Sequence, residues 1–237
     1  MRQSALSLFL LYFFNAVGQP IHSSGKKSDQ AADSTINLYF TSVGETSGLY
    51  NGRVFYWYPL MKGHAFYPSV DWQKGSVLYD GTWYHHLSIM YDIYRDEIVL
   101  KYPNSLPIRL FSERIQEFRL DDQKFARLQP DKDNVLKNTF YQVLTEGVVA
   151  VFASRQTRIE ENIVDNTLER SFITVDQYYV LKNGRFYLVI NKKQLLSLLR
   201  DKRQSISQHL RKQKLKYKKE KERTIVEIVK FYNQSYK

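Results

Sequence analysis

The stretch SVLYDGTWYHHLSIMYDIY, which runs from Ser76 to Tyr94, decides the fold of this chain. Apolar and polar residues alternate on both sides of the pair Asp80-Gly81. Alternation with a period of two is typical of a strand with one buried face, and Asp-Gly is a strong signal for a two-residue turn. The stretch therefore predicts a β-hairpin.

Strand and turn signals repeat on both sides of this hairpin. Asp121-Asp122, Glu146-Gly147 and Asn183-Gly184 each separate two strand-like runs. Regularly spaced signals of this kind are typical of an antiparallel meander. We predict a β-rich domain over residues 37–191, arranged as a curved sheet or a partly open barrel. Its further strands are predicted at Leu38–Phe40, Arg53–Leu60, Glu97–Tyr102, Ile108–Phe111, Ile115–Leu120 and Lys124–Leu128.

After Asn191 the apolar period changes from two to about 3.6 residues, which is the period of a helix. Two apolar stripes follow this period, and the pattern between them is interrupted near Leu215–Tyr217. Residues 192–237 are therefore predicted to form a pair of basic amphipathic helices, a cap on the sheet, which makes the fold α+β. The stripes consist of Leu195, Leu199, Ile206 and Leu210, and of Ile225, Ile228, Val229 and Tyr232.

The start of the chain predicts export. Met1-Arg2 precedes a nine-residue apolar run, Leu6–Phe14, and small residues follow at Ala16 and Gly18. The run is too short to span roughly 30 Å of hydrocarbon, so a cleaved signal peptide over residues 1–18 is favoured over a transmembrane anchor or a buried N-terminal element. Residues 19–36 are polar and predicted to be disordered, and no transmembrane span is predicted in the mature chain. The chain has no cysteine, which excludes disulfides and thiolate sites.

The adjacent histidines His85 and His86 raise the question of a site. Strict alternation along a strand places His85 on the face of Leu87 and Ile89, and His86 on the face of Ser88. The two imidazoles could then meet one ligand only across a bulge. A well-formed strand is favoured over a metal or catalytic role, and no metal or cofactor is predicted.

Catalytic motifs are absent from the sequence. It contains no G-x-S-x-G elbow, no phosphate-binding glycine loop and no H-E-x-x-H pair. Asp71, Asp80 and Asp92 lie near aromatic residues and are the candidate acidic groups for a small hydrolase. Aspartate is also common in turns for structural reasons, and this interpretation is favoured for all three.

The segment 56–72 combines aromatic and polar residues and is the predicted place for a ligand groove. Aromatic rings with polar tips suit stacking on sugars or lining an apolar pocket. The alternative is that these rings close one end of the sheet. The residues predicted to bind a ligand are Trp57, His64, Tyr67 and Trp72.

Positive charge is concentrated in one segment. The chain has a net charge of +11, and Lys192–Arg223 contains thirteen Lys and Arg against three acidic residues. Three interpretations remain open: a solvated helix face, a contact with an anionic surface, and nucleic-acid binding, which export disfavours. The residues predicted for an anionic contact are Lys212, Lys214, Lys216, Lys218, Lys219 and Lys221.

Several phrases occur here in a distinctive series: GLYNGRVFYWY, KGHAFY, the stretch Gly75–Leu100, and the ending Leu195–Asn233. Together they resemble uncharacterised secreted proteins of Bacteroidota, over most of the chain after its polar N-terminal segment. The resemblance implies an exported protein of a Gram-negative envelope, and it brings no assigned activity and no catalytic residues.

Two functions follow as expectations. The first is a non-enzymatic scaffold or binding module, periplasmic or associated with the outer membrane, whose basic cap contacts an anionic membrane surface or an acidic envelope polymer. The second is a small hydrolase or carbohydrate-binding protein that acts through the aromatic loop 56–72.

Overall fold

The structure is a computed structural model that describes residues 48–102, 106–133 and 135–236. The predicted signal peptide (1–18), the polar segment 19–36 and the predicted strand Leu38–Phe40 lie outside these residues.

Twelve strands of the described residues form one antiparallel sheet. Its order is β1-β6-β5-β4-β3-β7-β8-β9-β10-β11-β12, with β2 beside β4, and the path ends at β1 and β12 without closing. Most neighbours in the sheet are neighbours along the chain, which confirms the predicted meander. The strands are β1 (Arg53–Val54), β2 (Phe66–Tyr67), β3 (Gln73–Tyr79), β4 (Thr82–Asp92), β5 (Glu97–Leu100), β6 (Ile108–Arg109), β7 (Ile115–Leu120), β8 (Gln123–Leu128), β9 (Thr139–Thr145), β10 (Val149–Val164), β11 (Thr167–Lys182) and β12 (Arg185–Leu188).

The predicted strand Arg53–Leu60 is shorter in the structure. It keeps only Arg53–Val54 in the sheet, and the chain then leaves the edge. Phe55 is buried against Phe66 and Met90 beside β4 and β5. The aromatic run that suggested a strand therefore continues outside the sheet, where Phe55 is buried while Tyr56 and Trp57 are exposed.

Two-residue turns close the tight hairpins. Both residues of Asp80-Gly81 and of Asn183-Gly184 have positive φ, as the sequence predicts for this turn type. The pair Asp165-Asn166 adopts the same conformation and joins β10 to β11. These two strands of sixteen residues each form a long arm whose tip exposes Ile163 and Leu168.

The interior of the curved sheet is aromatic. Phe118 and Phe125 stack with ring centroids 4.6 Å apart, and Tyr91 and Phe140 pack edge-on against Phe118. These rings are fully buried together with Val77, Ile89 and Leu120 from neighbouring strands. The apolar residues of the opening hairpin thus fill the core, as their alternation predicts.

The helical layer covers the C-terminal strands. It consists of α1 (Lys192–Leu198), α2 (Arg203–Lys212) and α3 (Lys221–Gln234), with a short 3₁₀ turn, Arg200–Lys202, between α1 and α2. The first predicted helix is divided because Leu199 leaves the helical conformation, while the predicted break near Leu215 is present. Both predicted apolar stripes are buried against Val149, Val151 and Val180.

Strand β4 contains a bulge at the two histidines, which corrects the alternation predicted for them. Gly75 pairs with Leu87 and Val77 pairs with Tyr84, so two residues of β4 lie opposite the single residue Ser76. The extra residue shifts the alternation at this point. The side chains of His85 and His86 therefore line the same pocket instead of opposite faces.

Among the described helices, none is both long enough and apolar enough to cross a membrane.

Candidate functional site

The six lysines predicted for an anionic contact lie around the connection between α2 and α3. Lys212 is the last residue of α2, Lys221 is the first residue of α3, and the other four lie in the linker 213–220. Five of the six are exposed. Lys221 is the exception: it is partly buried, and its Nζ lies 5.1 Å from the centroid of the Tyr178 ring.

The linker alternates between apolar and basic residues. Leu215 and Tyr217 pack against the core beneath the helices, whereas Lys216 and Lys218 are exposed. The inward side chains hold the linker on the protein, and the outward ones carry charge into the solvent. Burial also raises the pKa of the Tyr217 hydroxyl, which has no hydrogen-bond partner among the described residues.

The linker and the start of α1 together enclose an open pocket of about 640 Å³. Its lining is almost entirely apolar, although most of the residues around it are lysines. Long basic side chains cover apolar surface with their methylene stems while the ammonium groups reach water. We call this feature the lysine pocket. It is lined by Asn191, Lys192, Lys193, Lys216, Tyr217, Lys218 and Lys219.

Asn191 begins α1 and fixes one wall of the pocket. Its Oδ1 accepts a hydrogen bond from the Gln194 N–H at 2.9 Å, and the Gln194 side chain accepts one from the Ile190 N–H at 3.0 Å. The first turn then carries Lys192 and Lys193 and no acidic residue. Cations at this end of a helix are disfavoured by the backbone dipole, by about 0.3–1 kcal/mol each at most. Helix stability therefore does not account for these two lysines.

The ammonium groups around the pocket lie apart from the carboxylates that the structure describes. Within the part of the chain that the structure describes, Lys192, Lys193, Lys216, Lys218 and Lys219 form no salt bridge. Unpaired cations clustered at an apolar opening repel one another and attract anions. The pocket is thus suited to a ligand that has an anionic head and an apolar tail.

Lys214 shows a local conflict at the end of α2. Its φ is +53°, in the left-handed region. Its N–H donates to the Arg211 carbonyl at 3.1 Å, and the Leu215 N–H donates to the Leu210 carbonyl at 3.2 Å. These two bonds define a Schellman motif, in which glycine usually occupies the left-handed position. A lysine here retains charge at a conformational cost.

A buried ionic network fastens the cap to the sheet. The Arg155 guanidinium on β10 is 3 % exposed and lies 2.6 Å from both Asp176 Oδ2 and Glu222 Oε2. It also donates to Gln142 Oε1 through Nε at 2.8 Å, and its Cζ lies 4.9 Å from the centroid of the Tyr67 ring. Because Glu222 belongs to α3, the helix that follows the linker is held by charge as well as by apolar packing.

The aromatic loop does not gather its four predicted residues around one pocket. Trp57 is half-exposed and packs edge-on against Phe66 outside the sheet, where Trp72 also packs. Tyr67 follows Phe66 on β2 and faces inward, with its hydroxyl 2.9 Å from Gln123 Oε1. His64 is exposed, and its Nδ1 accepts a hydrogen bond from the Phe66 N–H.

The three candidate aspartates all serve turns. Asp71 bonds Ser69, and Asp80 pairs with Arg114 at the turn between β3 and β4. Asp92 is fully buried, accepts from the Tyr58 hydroxyl at 2.6 Å, and also accepts from the backbone N–H groups of the following turn. Desolvation raises its pKa above the ordinary value despite these bonds.

A second charged cleft of about 380 Å³ lies beside β6. Two of the four arginines that line it lie near carboxylates: Arg109 pairs with Glu97, and Arg127 lies 4.0 Å from Asp96. Arg127 also donates to the Ser112 carbonyl. Because Asp96, Glu97 and Glu113 also line the cleft, it presents less net positive charge than the lysine pocket.

The sequence identified part of the lysine pocket and missed the rest. Lys216, Lys218 and Lys219 are among the predicted contacts, whereas Lys192 and Lys193 join them only through the fold. The alternation of lysine with Leu215 and Tyr217 was the available signal for a linker held on the core.

No group of three or more His, Asp or Glu side chains in the described ranges is placed to hold a metal ion. Comparison of the chain with protein-family profiles, with characterised proteins and with solved structures finds no match.

Proposed function

We propose that this chain is an exported, non-enzymatic binding module of a Gram-negative envelope that attaches to anionic phospholipid surfaces through its helical cap. The observation that carries the proposal is the lysine pocket, an apolar opening surrounded by five lysines that have no carboxylate partner among the described residues. Lipid headgroup phosphates would meet the ammonium groups, and the apolar lining would accept part of an acyl chain.

The energetics favour a surface over a single ion. A lysine near an anionic membrane contributes about 1 kcal/mol. The exposed lysines Lys212, Lys214, Lys216, Lys218 and Lys219 would then contribute on the order of 5 kcal/mol together if their effects add. An apolar contribution from the pocket comes in addition, and it would not weaken with salt as the charge contribution does.

Co-sedimentation with vesicles tests the proposal. The mature protein is mixed with anionic vesicles and, separately, with neutral phosphatidylcholine vesicles across a salt series. A cap variant carries Gln at Lys212, Lys214, Lys216, Lys218 and Lys219. A body variant loses the same number of charges outside the cap through Gln at Lys62, Lys101, Lys132, Lys137 and Arg185, all of which are exposed.

We expect the parent protein and the body variant to bind anionic vesicles alone, more weakly as salt rises, and the cap variant to lose this binding by at least a hundredfold. Equal losses in both variants would show that only overall charge matters. Absence of binding by the parent protein would reject the proposal and leave the lysines as a solvated face.

A competition experiment separates lipid from other polyanions. If the pocket accepts an apolar chain, decyl phosphate should displace the protein from vesicles at much lower concentrations than inorganic phosphate. If polyphosphate or duplex DNA competes as well as decyl phosphate per unit charge, the partner is an acidic polymer and the apolar lining has no role.

A further inference from the structure

The bulge at His85 and His86 interrupts the regular alternation of side chains along β4. His86 has a φ of +56°, in the left-handed region. The other described non-glycine residues with positive φ lie in turns or at the end of α2, whereas His86 lies within a strand. Bulges re-aim side chains and recur next to binding sites, and strained backbone is concentrated at functional positions.

The bulge brings two imidazoles to one pocket of about 360 Å³ on the outer face of the sheet. The ring centroids of His85 and His86 are 6.4 Å apart. His85 also stacks on Trp83, with centroids 5.7 Å apart and planes inclined by 17°. The stacking fixes the orientation of one imidazole and places a large aromatic surface beside the pocket.

Neighbouring strands add cations and a hydroxyl group. Lys74 and Ser76 on β3 and Arg119 on β7 line the pocket, and among the residues that the structure describes Asp121 is the one carboxylate in its lining. Arg119 lies loosely against Glu117, with Nε 3.8 Å from Oε1, and its Cζ is 5.9 Å from the Trp83 ring centroid. Glu117 is also paired with Lys124 at 3.3 Å, so its charge is shared.

Gly75 makes this arrangement of strands possible. A Cβ atom at this position would lie 2.5 Å from the Arg119 carbonyl oxygen and 2.5 Å from Ile89 Cδ1. Only glycine lets β7 approach β3 this closely beside the bulge. The close approach holds the Arg119 backbone against β3, the strand that lies between β7 and the histidine strand β4.

We propose that this pocket binds a small phosphate monoester. An ammonium, a guanidinium, the His86 imidazole and a hydroxyl can direct hydrogen bonds at one tetrahedral oxyanion from three strands, and the His85 ring lies beside them. Four such groups are more than the two oxygens of a carboxylate require. The volume exceeds that of a phosphate group alone, so an organic part can lie in the remaining space. This site is independent of the lysine pocket and of attachment to lipid.

Nuclear magnetic resonance of the imidazole protons tests the site directly. The protein is titrated with glycerol 3-phosphate and, separately, with inorganic phosphate. His85 and His86 signals should shift with saturation, while the His64 and His209 signals should stay in place. Stronger binding of the ester would show that the organic part is recognised, and equal binding would show that the phosphate group alone is recognised.

Two variants on different strands check the contact. His86→Asn keeps a residue that tolerates positive φ and so preserves the bulge, and Arg119→Gln removes the guanidinium from β7. Each should weaken binding about tenfold or more, the effect of one charge-assisted hydrogen bond. His64→Gln, at an exposed histidine outside the pocket, should leave the affinity unchanged.

Unperturbed His85 and His86 signals at millimolar ligand would overturn the proposal. So would equal affinity of the parent protein and both variants, provided that their circular dichroism spectra and melting temperatures match. In either case the bulge would serve only to bend β4.

Discussion

At the scale of single residues, Lys214 is the clearest conflict between local conformation and sequence. It occupies the left-handed position that ends α2, and side chains other than glycine are disfavoured there by about 1–2 kcal/mol. We expect Lys214→Gly to raise the free energy of unfolding in urea by about 0.5–1 kcal/mol, after the greater chain entropy of glycine is included.

Lys214→Gln is the matched control, since it removes the same charge and keeps the unfavourable φ. If both variants are stabilised equally, relief of charge repulsion explains the gain instead of backbone conformation. If neither is stabilised, the left-handed position costs less than the motif suggests.

Most of the two-residue turns were predictable, including Asp121-Asp122 between β7 and β8, but the turn at Asp165-Asn166 was missed. Asp80-Gly81 and Asn183-Gly184 were predicted as turns, and both have positive φ throughout. Asp165-Asn166 forms the same turn without glycine, so the long arm was not predicted. The bulge at His86 was also missed, because its conformation is imposed by pairing with β3 and has no local signal.

At the scale of elements, Asn233 connects α3 to the start of β10. Its Oδ1 accepts from the Val149 N–H at 3.0 Å, and its Nδ2 donates to the Val149 carbonyl at 2.8 Å. The side chain thus replaces a neighbouring strand. Gly147 is needed beside it, because its φ is +141° and a Cβ atom there would lie 2.5 Å from Asn233 Nδ2.

Asn233→Ala should therefore lower the free energy of unfolding by about 2 kcal/mol, because it leaves two backbone groups of the half-buried edge without partners. Urea unfolding followed by circular dichroism measures this change. Asn233→Asp is the informative comparison: it keeps the acceptor for the Val149 N–H and loses the donor, so we expect an intermediate value. A loss below 0.5 kcal/mol for the alanine variant, within the range of ordinary surface substitutions, would mean that water replaces the amide.

Helices and strands were predicted well where one face of the element is buried along its length. The strands β5, β7 and β8 and both apolar stripes of the cap agree with the sequence because burial on one face imposes a period. The strand predicted at Arg53–Leu60 was too long, because an aromatic run that leaves the sheet edge and buries only Phe55 fully resembles a strand in sequence. The lysine pocket depends on residues 23 or more positions apart, and no local pattern records their proximity.

At the scale of the whole molecule, Arg155 couples the cap to the sheet. It is buried between Asp176 on β11 and Glu222 on α3. Arg155→Leu would leave two carboxylates facing each other, and we expect it to lower the free energy of unfolding by about 3 kcal/mol. This value is at the lower end for a broken buried ion pair, because both carboxylates retain some solvent contact.

Two optical signals can follow this coupling. All three tryptophans lie between positions 57 and 83, whereas the long helices lie after position 202, so fluorescence reports on the sheet and circular dichroism at 222 nm mainly on the cap. We expect the two urea transitions to coincide in the parent protein and to separate in Arg155→Leu. Glu222→Gln, which keeps a hydrogen-bond acceptor, should lower the free energy of unfolding by less than about 1 kcal/mol. Coincident transitions in Arg155→Leu would show that apolar packing alone unites the two parts.

The concentration of charge in the cap has a consequence for motion as well as for affinity. Lys192–Arg223 carries an excess of ten positive charges, and the rest of the chain is close to neutral. Such a molecule has a large electric dipole directed through its cap. A negatively charged surface exerts a torque on this dipole within about 8 Å at physiological ionic strength, before any atom touches. The protein would therefore turn its helices toward the surface during approach, and salt would slow its arrival more than it would hasten its departure.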